Sequence, residues 1–278
     1  MERPFDTRHI LSPSKGPLSK IVQAAVLVPT ERVMDLLNLG SIYVDGVRAE
    51  GDRDISAGTY VRVHLKPKRY PVEGIKWADR IVFQNDDFLI VNKPKNIPVH
   101  PMLDNKIENV AVQLARHLGY PLFVTQRLDV GTEGLFLLAK TKDFQRRFNG
   151  LLKDKKVFKR YVARAEGRVR EGHHSHFMFV SPRSPKIMAD KPGPVGEWID
   201  CHLKVIECLP RDGFFETSIE LITGRTHQIR AQLAHMGVPL RGDRLYGSQA
   251  PGGEFFLVCD RLSFEDPETR SKHDFSLS

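Results

Sequence analysis

The chain has 278 residues, 41% of them hydrophobic and 27% charged. That is enough apolar material for one large core or two modest ones, and it argues against wholesale disorder. Lys and Arg number 42 against 34 Asp and Glu, a net charge of +8 that suits a polyanionic partner. Cys201, Cys208 and Cys259 cannot all pair and lack CxxC spacing, which argues against a disulfide scaffold and a Cys-rich zinc site and favours a reducing compartment. No apolar run approaches the ~20 residues that span a bilayer, so no membrane partner is expected.

Residues 1–20 hold four basic and two acidic residues with Ser12, Ser14 and Ser19, and read as a poorly ordered start or an organelle transit segment. A helix is expected over 21–40, with Val33, Leu36, Leu37 and Leu39 on one face and Gly40 as its C-cap. Ile42 and Val44 then alternate into Asp45-Gly46, a hairpin signal. A turn at Ala57-Gly58 leads to a strand over 60–65. Residues 66–71 (KPKRYP) read as a linker, placing a domain boundary near 70–78. Strands follow at 81–83 and 88–93, ended by Pro94, and an amphipathic helix at 108–118. Leu135–Ala139 is a continuous apolar run, a buried strand. A helix over 141–153 has Thr141 as its N-cap. Strands at 159–167 and 215–221 precede a helix over 227–235, with Thr226 as a plausible N-cap. Strands and helices mix without a βαβ repeat, so the fold class expected is α+β.

The charge is uneven. Residues 140–170 carry 12 basic and three acidic residues, a net of +9, against +2 for residues 1–75. The lysines Lys153, Lys155, Lys156 and Lys159, with Arg160, therefore read as a polyanion-facing surface. Asp129 lies on a tight loop, allowed by Gly131 and Gly134, that feeds a buried strand, where it serves as a nucleophile, a base or a turn cap. Arg225 and Arg230 flank a helix start and offer bidentate contacts to carboxylate or phosphate, or form a plain surface pair. Tyr161 sits among basic residues, placed to stack on a base or to half-bury in a strand. His173, His174 and His176 lack matching Cys or carboxylate spacing, so no metal is expected.

RLDVGTEGLFLLAKT (127–141), LITGRTHQIRAQLAHMGVPLRGDRLYG (221–247) and FLIVNKPKNIPVHP (88–101) resemble the signature blocks of the RluA-type RNA pseudouridine synthases. KRYVARAEG (159–167) and FFLVCDRLSFEDPET (255–269) resemble two further blocks, so the likeness covers about residues 80–270. ERVMDLLNLGSIYVDGVRAEGDRDISAGTYVRVHL (31–65) resembles an S4 RNA-binding domain. The resemblance implies a pseudouridine-synthase catalytic fold over 76–278, a mixed and mostly antiparallel sheet with flanking helices and a central cleft, and an S4-like unit over 1–75. It implies isomerisation of uridine in structured RNA, ribosomal ahead of transfer RNA, by a monomer without cofactor or metal, in the cytoplasm or an organelle. The family's catalytic aspartate falls on Asp129, its tyrosine on Tyr161, the arginine paired with the aspartate on Arg230, and the arginine that helps hold the flipped-out RNA on Arg127. Gln126 stands where the family usually has His, and Glu133 where it usually has Ser. Rival readings are a non-catalytic RNA-binding module derived from a synthase and a hydrolase using Asp129.

Overall fold

The computed structural model describes residues 6–277, which divide into two compact units. The first takes the chain up to Trp77 together with Ile97–Leu122; the second takes Ala78–Asn96 and the chain from Phe123 onward. Among the described residues no helix is long and apolar enough to cross a membrane.

The first unit holds strands β1 (Thr7–Leu11), β2 (Gly16–Pro17), β3 (Ile42–Val44), β4 (Val47–Arg48), β5 (Asp54–Ile55) and β6 (Tyr60–His64), with helices α1 (Leu18–Val26), α2 (Thr30–Leu39) and α3 (Val110–Leu118). Its main sheet runs β1-β6-β3-β4, and β2 pairs with β5. Asp45 and Gly46 both take positive φ, 47° and 82°, and this turn sets Val44 opposite Val47. Leu18, Val22, Val33, Leu36, Ile42, Val61 and Val63 are fully buried between helices and sheet.

Three expectations change here. The helix expected over 21–40 is two helices. Leu27 turns left-handed at φ 55°, and Pro29, which has no N–H to donate, flanks the start of α2. Of the segment expected to be poorly ordered, residues 1–5 lie outside the described residues. Thr7–Leu11 instead pairs along its whole length with β6, and the Ser19 amide and hydroxyl donate to Asp52. The basic segment at 66–71 is held by carboxylates from 97–122. The Lys68 amide donates to Asp104 at 2.7 Å, the Tyr70 amide to Glu108 at 2.8 Å, and the Arg69 guanidinium grips Glu108 at 2.5 and 2.8 Å.

The second unit holds β7 (Ile81–Gln84), β8 (Phe88–Lys93), β9 (Phe123–Val124), β10 (Glu133–Ala139), β11 (Phe158–Ala165), β12 (Gly172–Phe179), β13 (Met188–Ala189), β14 (Trp198–Arg211), β15 (Phe214–Leu221), β16 (Leu257–Glu265) and β17 (Lys272–Ser276), with α4 (Lys142–Lys153) and α5 (Gln228–His235). They build one eleven-stranded sheet, ordered β13-β12-β14-β15-β11-β16-β10-β8-β7, with β9 added to β10 and β17 to β16. Every pairing named is antiparallel except β10 with β16. The fold is α+β with a mostly antiparallel sheet.

Leu135–Ala139 is fully buried, as a continuous apolar strand must be when both faces are covered. Thr141 accepts from the Phe144 amide and starts α4, which packs Phe144 and Phe148 against Phe88 and Phe264. The join of β10 to β16 is close. A Cβ on Gly134 would lie 2.2 Å from the Cys259 carbonyl oxygen, and Gly134 takes φ 103°. Glycine is required there on both counts.

Candidate active site

Four segments of the second unit converge on one carboxylate. Asp129 lies on the loop that feeds β10, where its carbonyl accepts from the Thr132 amide. Its side chain is partly exposed, at 21%. Arg230, on the first turns of α5, reaches it with Nη1 at 3.7 Å. The tighter partner of Arg230 is Asp243, which accepts from Nε at 2.6 Å and from Nη2 at 2.9 Å. This two-point grip fixes the guanidinium plane. The guanidinium carbon also lies over two aromatic rings, 4.4 Å from the Phe255 centroid and 5.0 Å from that of Tyr246. Gly131 allows Phe255 this position, because a Cβ there would fall 2.8 Å from the ring. Arg230 therefore stands between two carboxylates: Asp243 is buried and holds it, and Asp129 faces outward.

His227 is the other neighbour of Asp129, with Nε2 3.9 Å away. Its Nδ1 shares a hydrogen bond with the Tyr246 hydroxyl at 3.0 Å, and that hydroxyl also accepts from the Lys186 amide. Burial pushes the His227 pKa down, Asp129 opposes that, and Arg230 adds to it. A neutral imidazole is therefore favoured beside the carboxylate. His227, at φ 57°, also replaces Thr226 as the residue that caps α5. Thr226 instead accepts from Arg127 Nη2 at 2.9 Å, which places Arg127 on the exposed rim beside the 223–228 loop.

Tyr161 lies on β11, almost wholly buried, within reach of the field of Asp129. Burial first, then the Cys259 thiol, raises its pKa well above 10, so the phenol keeps its proton. Cys259 is itself pushed up to about 12 by burial and is unreactive. Lys93, the last residue of β8, is fully buried, and its Nζ donates to the carbonyls of Pro94 and Val130 at 2.9 and 3.1 Å. Val130 follows Asp129, so this lysine staples the loop from behind. Burial lowers the Lys93 pKa to about 7, against the opposing pull of Asp129 and Glu133.

The 223–228 loop is fixed by buried amides. Gln228 Oε1 accepts from the Thr223 hydroxyl and the Arg225 amide, while Gln228 Nε2 donates to the His202 carbonyl and to Gln232 Oε1. Gln232 Nε2 passes the chain on to His176 Nδ1 at 2.9 Å. His176, Asp190 and His235 lie close enough together to suggest a metal centre. The Gln232 amide uses the Nδ1 lone pair of His176, however, so in a neutral ring the proton sits on Nε2, the nitrogen facing Asp190. This donor set does not fit a cation.

The basic residues separate into two kinds. Lys153, Lys155 and Lys156 are exposed at the end of α4, and Arg225 is exposed with Asp200 4.0 Å away. Arg160 is partly exposed and already forked onto Asp260. Lys159 differs from the expectation: it is buried, at 7% exposure, because residues 159, 161 and 163 turn inward on β11. The sequence reading passed over Asp243, His227, Tyr246, Phe255 and Lys93. Four of them stood inside blocks already singled out, and Phe255 opened another.

Solved structures share this fold. Human RNA pseudouridylate synthase domain containing 1 superposes with a TM-score of 0.56 at 21% identity, over 71% of this chain and 82% of that one. Human RNA pseudouridylate synthase domain containing 4 gives 0.56 at 22% identity, over 73% and 89%. The class is thus a pseudouridylate synthase fold with an aspartate–arginine site beside β10. Residues 87–235 match the model of RNA pseudouridylate synthase, and the chain belongs to that family. RNA pseudouridine synthase 6, chloroplastic, of Oryza sativa is 34% identical over 70% of this chain and 46% of its own length. The protein of the same name from Arabidopsis thaliana is 36% identical over 68% and 45%. This chain thus spans about half the length of these two relatives. Ribosomal large subunit pseudouridine synthase D of Haemophilus ducreyi is 30% identical over 77% of this chain and 66% of its own length.

Proposed function

We propose that this protein isomerises uridine to pseudouridine in structured RNA, with Asp129 as the reacting carboxylate. The observation that carries the reading is the arrangement at Arg230. Asp243 occupies its fork and holds it still, so that its remaining edge faces Asp129 and orients that carboxylate. Asp129 attacks the ribose C1′ or removes a neighbouring sugar proton. The N1–C1′ bond breaks, the base turns, C5 bonds to C1′, and the C5 proton leaves. Tyr161, protonated, packs against the base or donates to it. The target nucleotide must leave its stack to reach this site, which costs a few kcal/mol for a paired base.

Arg127 and Arg225 on the rim, with Lys153, Lys155 and Lys156, hold the RNA backbone and position it without specifying sequence. The first unit acts as an S4-like module on the same RNA. One relative is named for the ribosomal large subunit, which favours large-subunit ribosomal RNA as substrate. Two are named chloroplastic, which supports an organelle alongside the cytoplasm as the place of action. The protein works as a monomer.

The test is tritium release from [5-³H]uridine-labelled large-subunit ribosomal RNA. The wild-type chain should release label, and Asp129→Asn should release none while binding the RNA within about threefold of wild type. The substitution keeps shape and removes the charge. Turnover by Asp129→Asn at a tenth of wild type refutes the assignment.

A further inference from the structure

Lys159 is a buried cation that the site so far leaves without a task. It lies on the same inward face of β11 as Tyr161, two residues away, or about 7 Å along a strand. Its Nζ reaches beneath the 223–228 loop, 3.5 Å from where a Cβ on Gly224 would stand. No hydrogen bond or ion pair satisfies this ammonium among the described residues. The Cys259 thiol is the one charge-bearing neighbour that acts on it, and that thiol is held neutral. Burial pushes the Lys159 pKa below its ordinary value. The side chain is buried while its Nζ is not sealed from the surface, so the ammonium stands where a bound group can reach it and supply the partner it lacks.

We propose that Lys159 is a further catalytic residue, whose ammonium donates a hydrogen bond to a carbonyl oxygen of the target uracil and offsets the negative charge that builds on the ring as the N1–C1′ bond breaks. This rests on the isomerase reading above. When that bond breaks, its electron pair stays with the base and spreads over O2 and O4. Lys159 forms no covalent bond and keeps its proton. The ring becomes neutral again when C5 bonds to C1′; the C5 proton then leaves and N1 takes one up. A base packed against Tyr161 extends its edge toward Lys159. The exposed Lys153, Lys155 and Lys156 are the lysines placed for a backbone phosphate, whereas Lys159 is buried beside Tyr161 on β11. A cation fixed in a water-poor site where charge develops acts with little reorganisation.

The experiment uses the full chain and large-subunit ribosomal RNA labelled with [5-³H]uridine. It reads single-turnover tritium release, RNA affinity by filter binding, and thermal unfolding. Lys159→Met should slow release about 100-fold, the usual loss for one such donor. It should leave the RNA Kd within about threefold and the Tm unchanged or raised. Lys159→Arg, which keeps the charge, should recover at least a tenth of the wild-type rate. A Lys159→Met rate within threefold of wild type overturns the proposal, as does a loss of affinity equal to the loss of rate. A lowered Tm with no rescue by Lys159→Arg overturns it too, since the ammonium is then structural. If Lys159→Met does not fold, Lys159→Gln is judged by the same rate and affinity limits. If the wild-type chain releases no label, the isomerase reading itself fails, and that outcome is separate from any behaviour of the variants.

Discussion

At Arg230 two carboxylates compete for one guanidinium, and the difference in their geometry sets what a substitution does. Asp243 is 2% exposed and takes two short bonds; Asp129 takes one contact at 3.7 Å. Arg230→Ala leaves Asp243 buried without its cation, which costs about 3–5 kcal/mol. The expected result is a large fall in the chemical denaturation midpoint together with loss of tritium release. Arg230→Lys should fold better than the alanine variant and still isomerise poorly, because a lysine cannot fork onto Asp243 while facing Asp129. A variant as stable as wild type would show that the Asp243 pair carries little of the fold. Gly134 is a sharper case. A Cβ would meet the Cys259 carbonyl at 2.2 Å from a backbone at φ 103°, so Gly134→Ala must push β10 off β16. That variant should be recovered mainly as insoluble protein, and whatever stays in solution should melt well below wild type. Of these residues, Asp129, Arg230 and Tyr161 were legible because each stood in a recognisable block. Asp243 and Phe255 were not legible as partners, since Asp243 follows Arg230 by 13 residues and Phe255 lies farther on, and no local spacing encodes their meeting.

Individual elements were read well where one local rule dominates. Thr141 caps α4 as its hydroxyl chemistry requires, and Asp45-Gly46 closes the hairpin. They were read poorly where a rule has a rival. Pro29 was visible, yet the apolar face of Val33, Leu36, Leu37 and Leu39 outweighed it. Gly172–Phe179 and Trp198–Arg211 pair along eight residues, but the histidines and mixed polarity of the first hid its alternation. The lysines beyond α4 give the element-scale prediction. Lys153, Lys155 and Lys156 are exposed, and only Lys156 has an acidic neighbour, Asp154 at 3.8 Å. Replacing all three by Gln should flatten the plot of log affinity against log salt. Every phosphate that goes unneutralised takes about 0.9 off the slope on duplex RNA if it behaves as B-DNA does, or about 0.7 on a single strand. An unchanged slope would place the RNA backbone elsewhere. Lys159 was grouped with these three by composition, and strand periodicity separates it: residues 159, 161 and 163 share the inward face.

Among the described residues, histidines of both units lie below their ordinary pKa. His64, His176, His227 and His273 are all shifted down, with burial the largest cause in each. In the unfolded chain a histidine titrates near ~6.5, so in mild acid the unfolded state takes up protons that the folded state refuses. The stability these groups permit is present above that value and is lost as the pH falls below it. Denaturation midpoints should therefore decline from pH 7 to pH 5, before the carboxylates begin to titrate. A flat profile over that window would mean that the four rings are as accessible in the folded protein as in the unfolded one.

The one parallel pairing among the described residues joins Gly134 to Cys259, about 125 residues later in the chain. At synthesis rates of ~5–20 residues per second, the strand carrying the Asp129 loop waits roughly 6–25 s for its second neighbour to be made. Through that interval β10 has β8 along one edge, while on the other only Leu138 and Ala139 are paired, with β9, and the Gly134 end stays open. Until β16 arrives, the most apolar strand of the unit therefore needs shelter at the end that carries the Asp129 loop.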